Sequence, residues 1–199
     1  MREAHLQWLP ELEIGWYPVS ANLYGDAYWQ EYRARDETPA GARLTAMRCA
    51  FVAKHWPGDV VDIGIGGGRF VRENPYASGY DINPRAVAWL KANGRWCDPY
   101  RSMVDAITCW DSLEHIHDPG PLLDRVQRWV FVSIPIFADC EDVLRSRHFK
   151  KDEHVWYFTR AGLARFMRRF GFALVANNGM EQLAGREQIE SFAFERVGK

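Results

Sequence analysis

Nowhere in the 199 residues do about 20 apolar residues run together, so no helix is expected to span a bilayer. The opening stretch from Met1 to Pro10 lacks the apolar segment of a secretory signal, so secretion is not expected either. There is no Cys-x-x-Cys pair: Cys49, Cys97, Cys109 and Cys140 are scattered, and Cys109 lies within an apolar run. Free thiols in a reducing, cytoplasmic setting are therefore expected rather than disulfides or a zinc knuckle. An excess of one charge is also missing. With 25 Lys and Arg against 26 Asp and Glu, the net charge of −1 argues against a generic polyanion binder with one basic surface. Repeats and low-complexity segments are absent.

Apolar residues are plentiful, at 47%, enough for one core in a chain within the usual span of about 100–200 residues per domain. The near-neutral balance hides an asymmetry. Residues 1–42 carry three arginines against seven acids, a net −4, whereas residues 144–170 carry eight basic side chains against Asp152 and Glu153, a net +6. Residues 1–39 are rich in aromatics (among them Tyr24, Tyr28, Trp29 and Tyr32) and contain Pro10, Pro18 and Pro39. They are expected to form an irregular arm or lid on a body formed by residues 40–199.

From Ala40 to His55, Leu44, Met47, Phe51 and Val52 recur at helical spacing until Pro57-Gly58 stops the helix. Short apolar runs then alternate with helical stretches. The runs are Asp59–Ile63, Gly79–Ile82, Val104–Trp110 and Trp129–Ile134; the helices begin after the glycines at 64–68, at Asn83-Pro84 and near Pro121. That alternation predicts an α/β fold with a parallel sheet and crossover helices. Thr159 is placed to cap a last helix carrying Leu163, Phe166, Met167 and Phe170, closed by Gly171. Phe172–Val175 and Gln188–Val197 are expected to pair as an antiparallel hairpin at the sheet edge, with Phe192 and Phe194 on one face.

The first run ends directly in Gly64-Ile65-Gly66-Gly67-Gly68. Without Cβ atoms the backbone can turn sharply and approach a ligand, and free amides at a following helix favour a carboxylate or phosphate. Two acids sharpen this reading. Asp62 precedes the first glycine, where a carboxylate can meet an amine, and Asp81 follows 19 residues later, where it can accept both hydroxyls of a ribose.

These residues resemble the class I S-adenosylmethionine-dependent methyltransferases. The matching segments are Asp62 to Gly68, Gly79-Tyr80-Asp81-Ile82-Asn83-Pro84 and Asp105 to Ile116 with its Leu113-Glu114-His115-Ile116 piece. Downstream, His154 to Thr159 and Arg169-Phe170-Gly171-Phe172 continue the match. The combination looks most like the small-molecule group that includes the ubiquinone-biosynthesis O-methyltransferases, over roughly residues 40–197. The resemblance implies a Rossmann-like, seven-stranded, mostly parallel sheet with an antiparallel last strand and helices on both faces. It also implies a substrate-covering insertion at about 135–158.

Carried over by position, the resemblance implies that Gly64, Gly66 and Gly67 frame the methionine part of S-adenosylmethionine, with Asp62 near its amino group. It puts Asp81 on the ribose, Ile82 against the adenine, Asp98 at the adenine amino group and Trp110 beside the sulfonium. A methyl group would pass in line to a small-molecule acceptor, expected at oxygen and, in view of the basic segment, anionic. A hydroxyl nucleophile needs a base, and His115 and His154 are the candidates. Some relatives in the ubiquinone group hold a divalent cation with an acid-x-x-Glu-His set similar to Asp111, Glu114 and His115. Here the first member is the shorter Asp and no fourth ligand is evident, so acids at the positive end of a helix are the simpler reading and no metal is assigned.

The tetrapeptide of DNA amino-methyltransferases is replaced by Trp110-Asp111-Ser112-Leu113, and no Pro-Cys pair exists for cytosine C5 chemistry. A nucleotide or nucleic-acid acceptor is therefore disfavoured. A Rossmann dehydrogenase shares the glycines and an acid near this spacing, but usually lacks the Asp before the first Gly. A cofactor-binding partner subunit without turnover is the third alternative.

Overall fold

The computed structural model describes residues 5–19 and 24–198. Its main sheet contains β3 (Val60–Ile63), β4 (Ala77–Tyr80), β5 (Val104–Trp110), β6 (Val126–Pro135), β8 (Phe172–Asn178) and β9 (Ile189–Arg196), in the spatial order β4-β3-β5-β6-β9-β8. β3 to β6 run parallel, and β9 lies antiparallel between β6 and β8. The mixed, Rossmann-like sheet agrees with the expected class, but it has six strands. The seventh is reduced to a single parallel bridge between Gly79 and Trp96. Pro99 supplies no amide, and Asp98 turns the chain by accepting from Tyr100 N, so pairing cannot extend.

Alternation along the strands divides the interior into two layers. Val61, Ile63, Ile107, Cys109, Val130, Val132, Phe192 and Phe194 pack with Leu122 and Leu123 of α5 (Gly120–Leu123) and with Leu163, Phe166 and Met167 of α7 (Arg160–Arg168). Their neighbours Val60, Ala106, Trp110, Trp129, Phe131 and Ala193 face the other way. They meet Phe51 and Val52 of α2 (Pro39–His55), Phe70 of α3 (Arg69–Glu73) and Met180 of α8 (Met180–Leu183). The period of two explains why central strands read as continuous apolar runs: both faces are covered.

Local signals start the helices where the sequence predicts. Thr38 Oγ1 accepts from Gly41 N, with Pro39 in the first turn of α2; Asn83 Oδ1 accepts from Arg85 N at α4 (Pro84–Ala92). Thr159 Oγ1 accepts from Gly162 N at α7. Two local expectations change. The helix near Pro121 is a single turn, because Val126 already registers with Val104 as a strand residue. The terminal hairpin forms, yet only β8 is at the edge. β9 is buried between β6 and β8, with Ser133 and Ser191 joined by a 2.7 Å hydroxyl bond across the strands.

The arm is regular rather than irregular. β1 (Gln7–Leu9) and β2 (Ile14–Trp16) form a hairpin, and β2 pairs with β7 (Trp156–Phe158) from the segment after β6, making a second, three-stranded antiparallel sheet. Glu13, at φ 58°, closes the hairpin turn; its carboxylate accepts from Thr159 Oγ1 at 2.8 Å and meets Arg165 at 3.0 Å. The arm then forms α1 (Asp26–Asp36), whose acids pair with the main body: Asp26 with Arg85 at 2.7 Å and the adjoining Glu37 with Arg72 at 2.8 Å. Among the described residues, α6 (Cys140–Arg145) is the helix of the 135–158 segment. All four cysteines are free, and no described helix is long and apolar enough to cross a membrane.

Candidate active site

A cavity of about 660 Å³ opens over the C-terminal ends of β3, β4 and β5, roofed by α1 and the start of α2. Parallel sheets gather ligands at this edge because strand ends and helix starts there present unpaired backbone groups. Gly64 and Gly66 line it with φ of +73° and +54°, in the left-handed region that only glycine enters freely. A Cβ on Gly66 would come within 3.2 Å of the Tyr32 ring. Gly67 does not line the cavity. It faces α1, where a Cβ would meet Asp36 Oδ2 at 2.5 Å and Tyr32 O at 2.7 Å, so its bareness serves close helix docking.

Asp62 lines the cavity floor with only 1% of its surface exposed. Its Oδ1 accepts from Thr108 Oγ1 at 2.7 Å. Burial nonetheless pushes its carboxyl up to about 7, because the one hydroxyl and the distant Arg48 do not replace lost water. Asp81 accepts from Ile65 N at 3.0 Å through one oxygen and from Asn83 N at 2.8 Å through the other, so the glycine loop and the α4 start share one carboxylate. Burial raises it as well. Each oxygen keeps a second lone pair for a ligand. Next to it, Ile82 is 67% exposed into the cavity, an apolar shelf without a protein partner large enough to cover it. Asp98 is not among the lining residues. Its carboxylate accepts from Tyr100 N and lies 3.6 Å from Arg101, while the Tyr100 side lines the wall instead.

Trp110 ends β5 with its ring beneath the Arg48 guanidinium, 5.0 Å away, and edge-on to Phe70. The next residue, Asp111, turns at φ +56° and is drawn aside into a balanced network. It lies 3.3 Å from Arg48 and 2.8 Å from Arg186, and the fully buried Glu181 holds the same two arginines. Burial alone would raise the Asp111 carboxyl, but Arg186 and Arg48 outweigh it and hold it below its usual value.

Beyond Trp110, His115 and His154 meet edge to face with ring centroids 4.8 Å apart, and both line the cavity. His115 Nδ1 lies 3.0 Å from the Glu153 carbonyl, to which it donates, and 3.3 Å from the Tyr24 hydroxyl. Burial lowers both imidazoles, His154 to about 3 with help from the neighbouring His115 and Lys150, so both are neutral at pH 7. Glu114 completes the corner. It is 1% exposed, neither carboxylate oxygen has a hydrogen-bond partner among the described residues, and Oε1 stands 4.0 Å from His154 Nε2. Burial and Asp111 raise its carboxyl well above the ordinary range.

The sequence reading brings Asp62, Gly64, Gly66, Asp81, Ile82, Trp110, His115 and His154 together in this cavity, while Gly67 and Asp98 lie outside its lining. It missed Arg48, Glu181 and Arg186. The aromatic roof consists of Tyr24, Tyr28 and Tyr32, whose tilted rings follow one another with centroids 4.6 and 4.3 Å apart; Trp29 turns away to pack on Ile65, Val71, Ala86 and Leu90. The i, i+4 spacing of the three tyrosines was the available signal.

A family model described as a methyltransferase domain matches residues 31–177, three quarters of the chain and every strand that builds the cavity edge. The chain belongs to the methyltransferase domain family. Solved structures agree in fold. Magnesium protoporphyrin IX methyltransferase from Synechocystis PCC 6803, solved with bound S-adenosylhomocysteine, superposes with a TM-score of 0.61 at 12% identity, covering 87% of this chain and 96% of its own. The 1,6-didemethyltoxoflavin-N1-methyltransferase of Burkholderia thailandensis gives 0.56 at 16% identity, over 98% and 100%. N-methyltransferase NodS from Bradyrhizobium japonicum WM9 gives 0.56 at 13%, over 82% and 99%. No curated protein sequence matches this methyltransferase significantly.

Proposed function

We infer that this methyltransferase takes its methyl group from S-adenosylmethionine and delivers it to a small-molecule acceptor at oxygen. The observation that carries the reading is that one continuous cavity joins the glycine loop, Asp81 and Ile82 to the His115 and His154 corner past Trp110, so donor and acceptor can meet in a single space. Its volume of about 660 Å³ falls within the roughly 300–1,000 Å³ of small-molecule sites, too small for a duplex. In this assignment Asp62 faces the donor's ammonium, Asp81 the ribose hydroxyls, Ile82 the adenine, and Gly64 and Gly66 the methionine chain. Tyr24 and Tyr28 offer π faces to the sulfonium.

The reaction is an in-line displacement. The S–CH₃ bond breaks as the new O–CH₃ bond forms, the sulfur keeps the electron pair as a thioether, and the acceptor hydroxyl gives up its proton. The chain's contribution is to align the two reactants at near-attack distance and exclude water. His115 and His154 stand where the hydroxyl proton leaves. Lys150, half-exposed at the same end, favours an acceptor carrying negative charge. S-adenosylhomocysteine and NAD, titrated separately by calorimetry, distinguish this reading from a dehydrogenase. Incubation with methyl-labelled donor and a metabolite extract, followed by product analysis, then identifies the acceptor atom. Label appearing only on nitrogen would overturn the oxygen assignment, and donor binding without any transfer would mark a non-catalytic subunit.

A further inference from the structure

We propose that Glu114, His115 and His154 form a binding site for a divalent first-row transition ion, best suited to Zn²⁺, at the acceptor end of the cavity. One donor atom from each of the three residues lies within 4.8 Å of the others. All three line the cavity, so an ion held there reaches the space where the acceptor lies. The site is distinct from the Asp111, Glu114, His115 triplet suggested by spacing along the chain: Asp111 is committed to Arg48 and Arg186, and its place is taken by His154 from across the cavity.

Glu114 is the second, independent observation. A glutamate almost wholly buried with both oxygens unpartnered among the described residues is costly unless something absent from the protein itself satisfies it. The 4.0 Å from its Oε1 to His154 Nε2 is too long for a hydrogen bond, and a tetrahedral ion about 2.0–2.2 Å from each draws the two atoms to roughly 3.4 Å, a closure of a few tenths of an ångström from each side chain. Neutral imidazoles are the form that binds metal. The Nδ1 of His115, donating to the Glu153 carbonyl, fixes the ring and leaves its other nitrogen unprotonated, the usual support for a metal-binding histidine. The nearby cations do not oppose the ion unscreened, since Lys150 pairs with Glu153 at 3.1 Å and Arg186 with Asp111 and Glu181. Two nitrogen ligands with one carboxylate favour Zn²⁺ over Mg²⁺ or Ca²⁺, which prefer all-oxygen shells. Three protein ligands leave a position open towards the cavity, where the acceptor's hydroxyl oxygen can bind and become more acidic; with the ion bound, its proton passes to solvent water, and the histidines hold the ion instead of taking the proton themselves. This deepens the proposed function and rests on its placement of the acceptor.

The test uses the whole chain after chelator treatment and dialysis. Zn²⁺ is titrated by calorimetry, and Co²⁺ is added in parallel to report ligand type from its visible spectrum. The expected result is about one Zn²⁺ per chain and a Co²⁺ spectrum of nitrogen and oxygen ligation, with Glu114→Gln and His154→Ala each weakening Zn²⁺ by at least about tenfold. S-adenosylhomocysteine affinity and the melting temperature, measured on the same samples, confirm that the variants are folded. Absence of stoichiometric Zn²⁺ binding, affinity unchanged in both variants, or a thiolate signature from the cysteines overturns the site. Loss of S-adenosylhomocysteine binding by the unmodified protein would instead count against the proposed function, so the two failures are separable.

Discussion

Lowering the pH from about 8 to about 6 should weaken binding of S-adenosylhomocysteine about tenfold, and the group responsible is Asp62. Burial pushes its carboxyl up to about 7 against the opposing Thr108 hydrogen bond. With that midpoint, about nine in ten copies are protonated at pH 6 and about one in ten at pH 8. If the ionised form is the one that meets the cofactor's ammonium, the ratio of competent fractions gives the tenfold loss, and about 0.9 proton is released per cofactor bound at pH 6. The sign for the empty protein is the reverse. An acid raised above its unfolded value stabilises the fold fully below about pH 4, and that contribution is lost as pH rises through about 7. Calorimetry at three pH values, in two buffers of different ionisation heat, measures both affinity and proton release. Asp81 is also raised by burial, so Asp62→Asn is the deciding control: it should bind more weakly and with a flatter pH profile. Thr108→Val, which removes the bond that lowers Asp62, should move the midpoint upward. An unmodified protein with pH-independent affinity, or an Asp62→Asn variant that keeps the full dependence, would refute the reasoning.

Gly67→Ala places a methyl group against Asp36 and Tyr32. At about 1–3 kcal/mol for overpacking, it should lower the melting temperature by roughly 2–12 °C, read by calorimetric scanning, and loosen α1 over the cofactor. Arg186→Met leaves Asp111 and the buried Glu181 sharing only Arg48. Because Arg186 is 30% exposed, the loss should sit near the low end for a broken buried pair, about 3 kcal/mol by urea unfolding. Tyr28→Ala should weaken S-adenosylmethionine by roughly 2- to 30-fold while sparing neutral S-adenosylhomocysteine, the signature of a ring facing a sulfonium; equal losses would indicate packing alone. Lys150→Ser should raise KM for an anionic acceptor, whereas Arg145→Ser and Arg147→Ser, which lie outside the cavity lining, should leave it unchanged.

The part of the cavity proposed to take the donor was legible because its elements are local. A strand, a glycine turn and an acid at the next strand's end are set by short spacings, and Asp62, Gly64, Gly66 and Asp81 lie where those spacings put them. Gly67 resembles its neighbours in the chain, yet its role is decided by Tyr32, Arg33 and Asp36 of α1 pressing from far upstream. Asp98 sits where the third strand should run, but Pro99 cuts that strand to one bridge and turns the carboxylate to Tyr100 and Arg101. The part proposed to take the acceptor depends on long-range meetings. Glu114 faces His154, Arg48 reaches Glu181, and Ile14 of the arm pairs with Phe158, none of which leaves a periodic trace in sequence. The same holds for charge. Among the described pairs, the acidic arm meets the basic 144–170 segment through Glu13 and Arg165, while Asp26 and Glu37 turn to the main body.

The central claim is that the Gly64, Asp62 and Asp81 edge holds an S-adenosyl cofactor. Calorimetric titration of the unmodified chain and of Asp81→Ala with S-adenosylhomocysteine, with NAD titrated alongside, tests it most directly. The account predicts one S-adenosylhomocysteine site, strongly weakened by Asp81→Ala, and no heat from NAD; saturable binding of NAD with none of S-adenosylhomocysteine would contradict it.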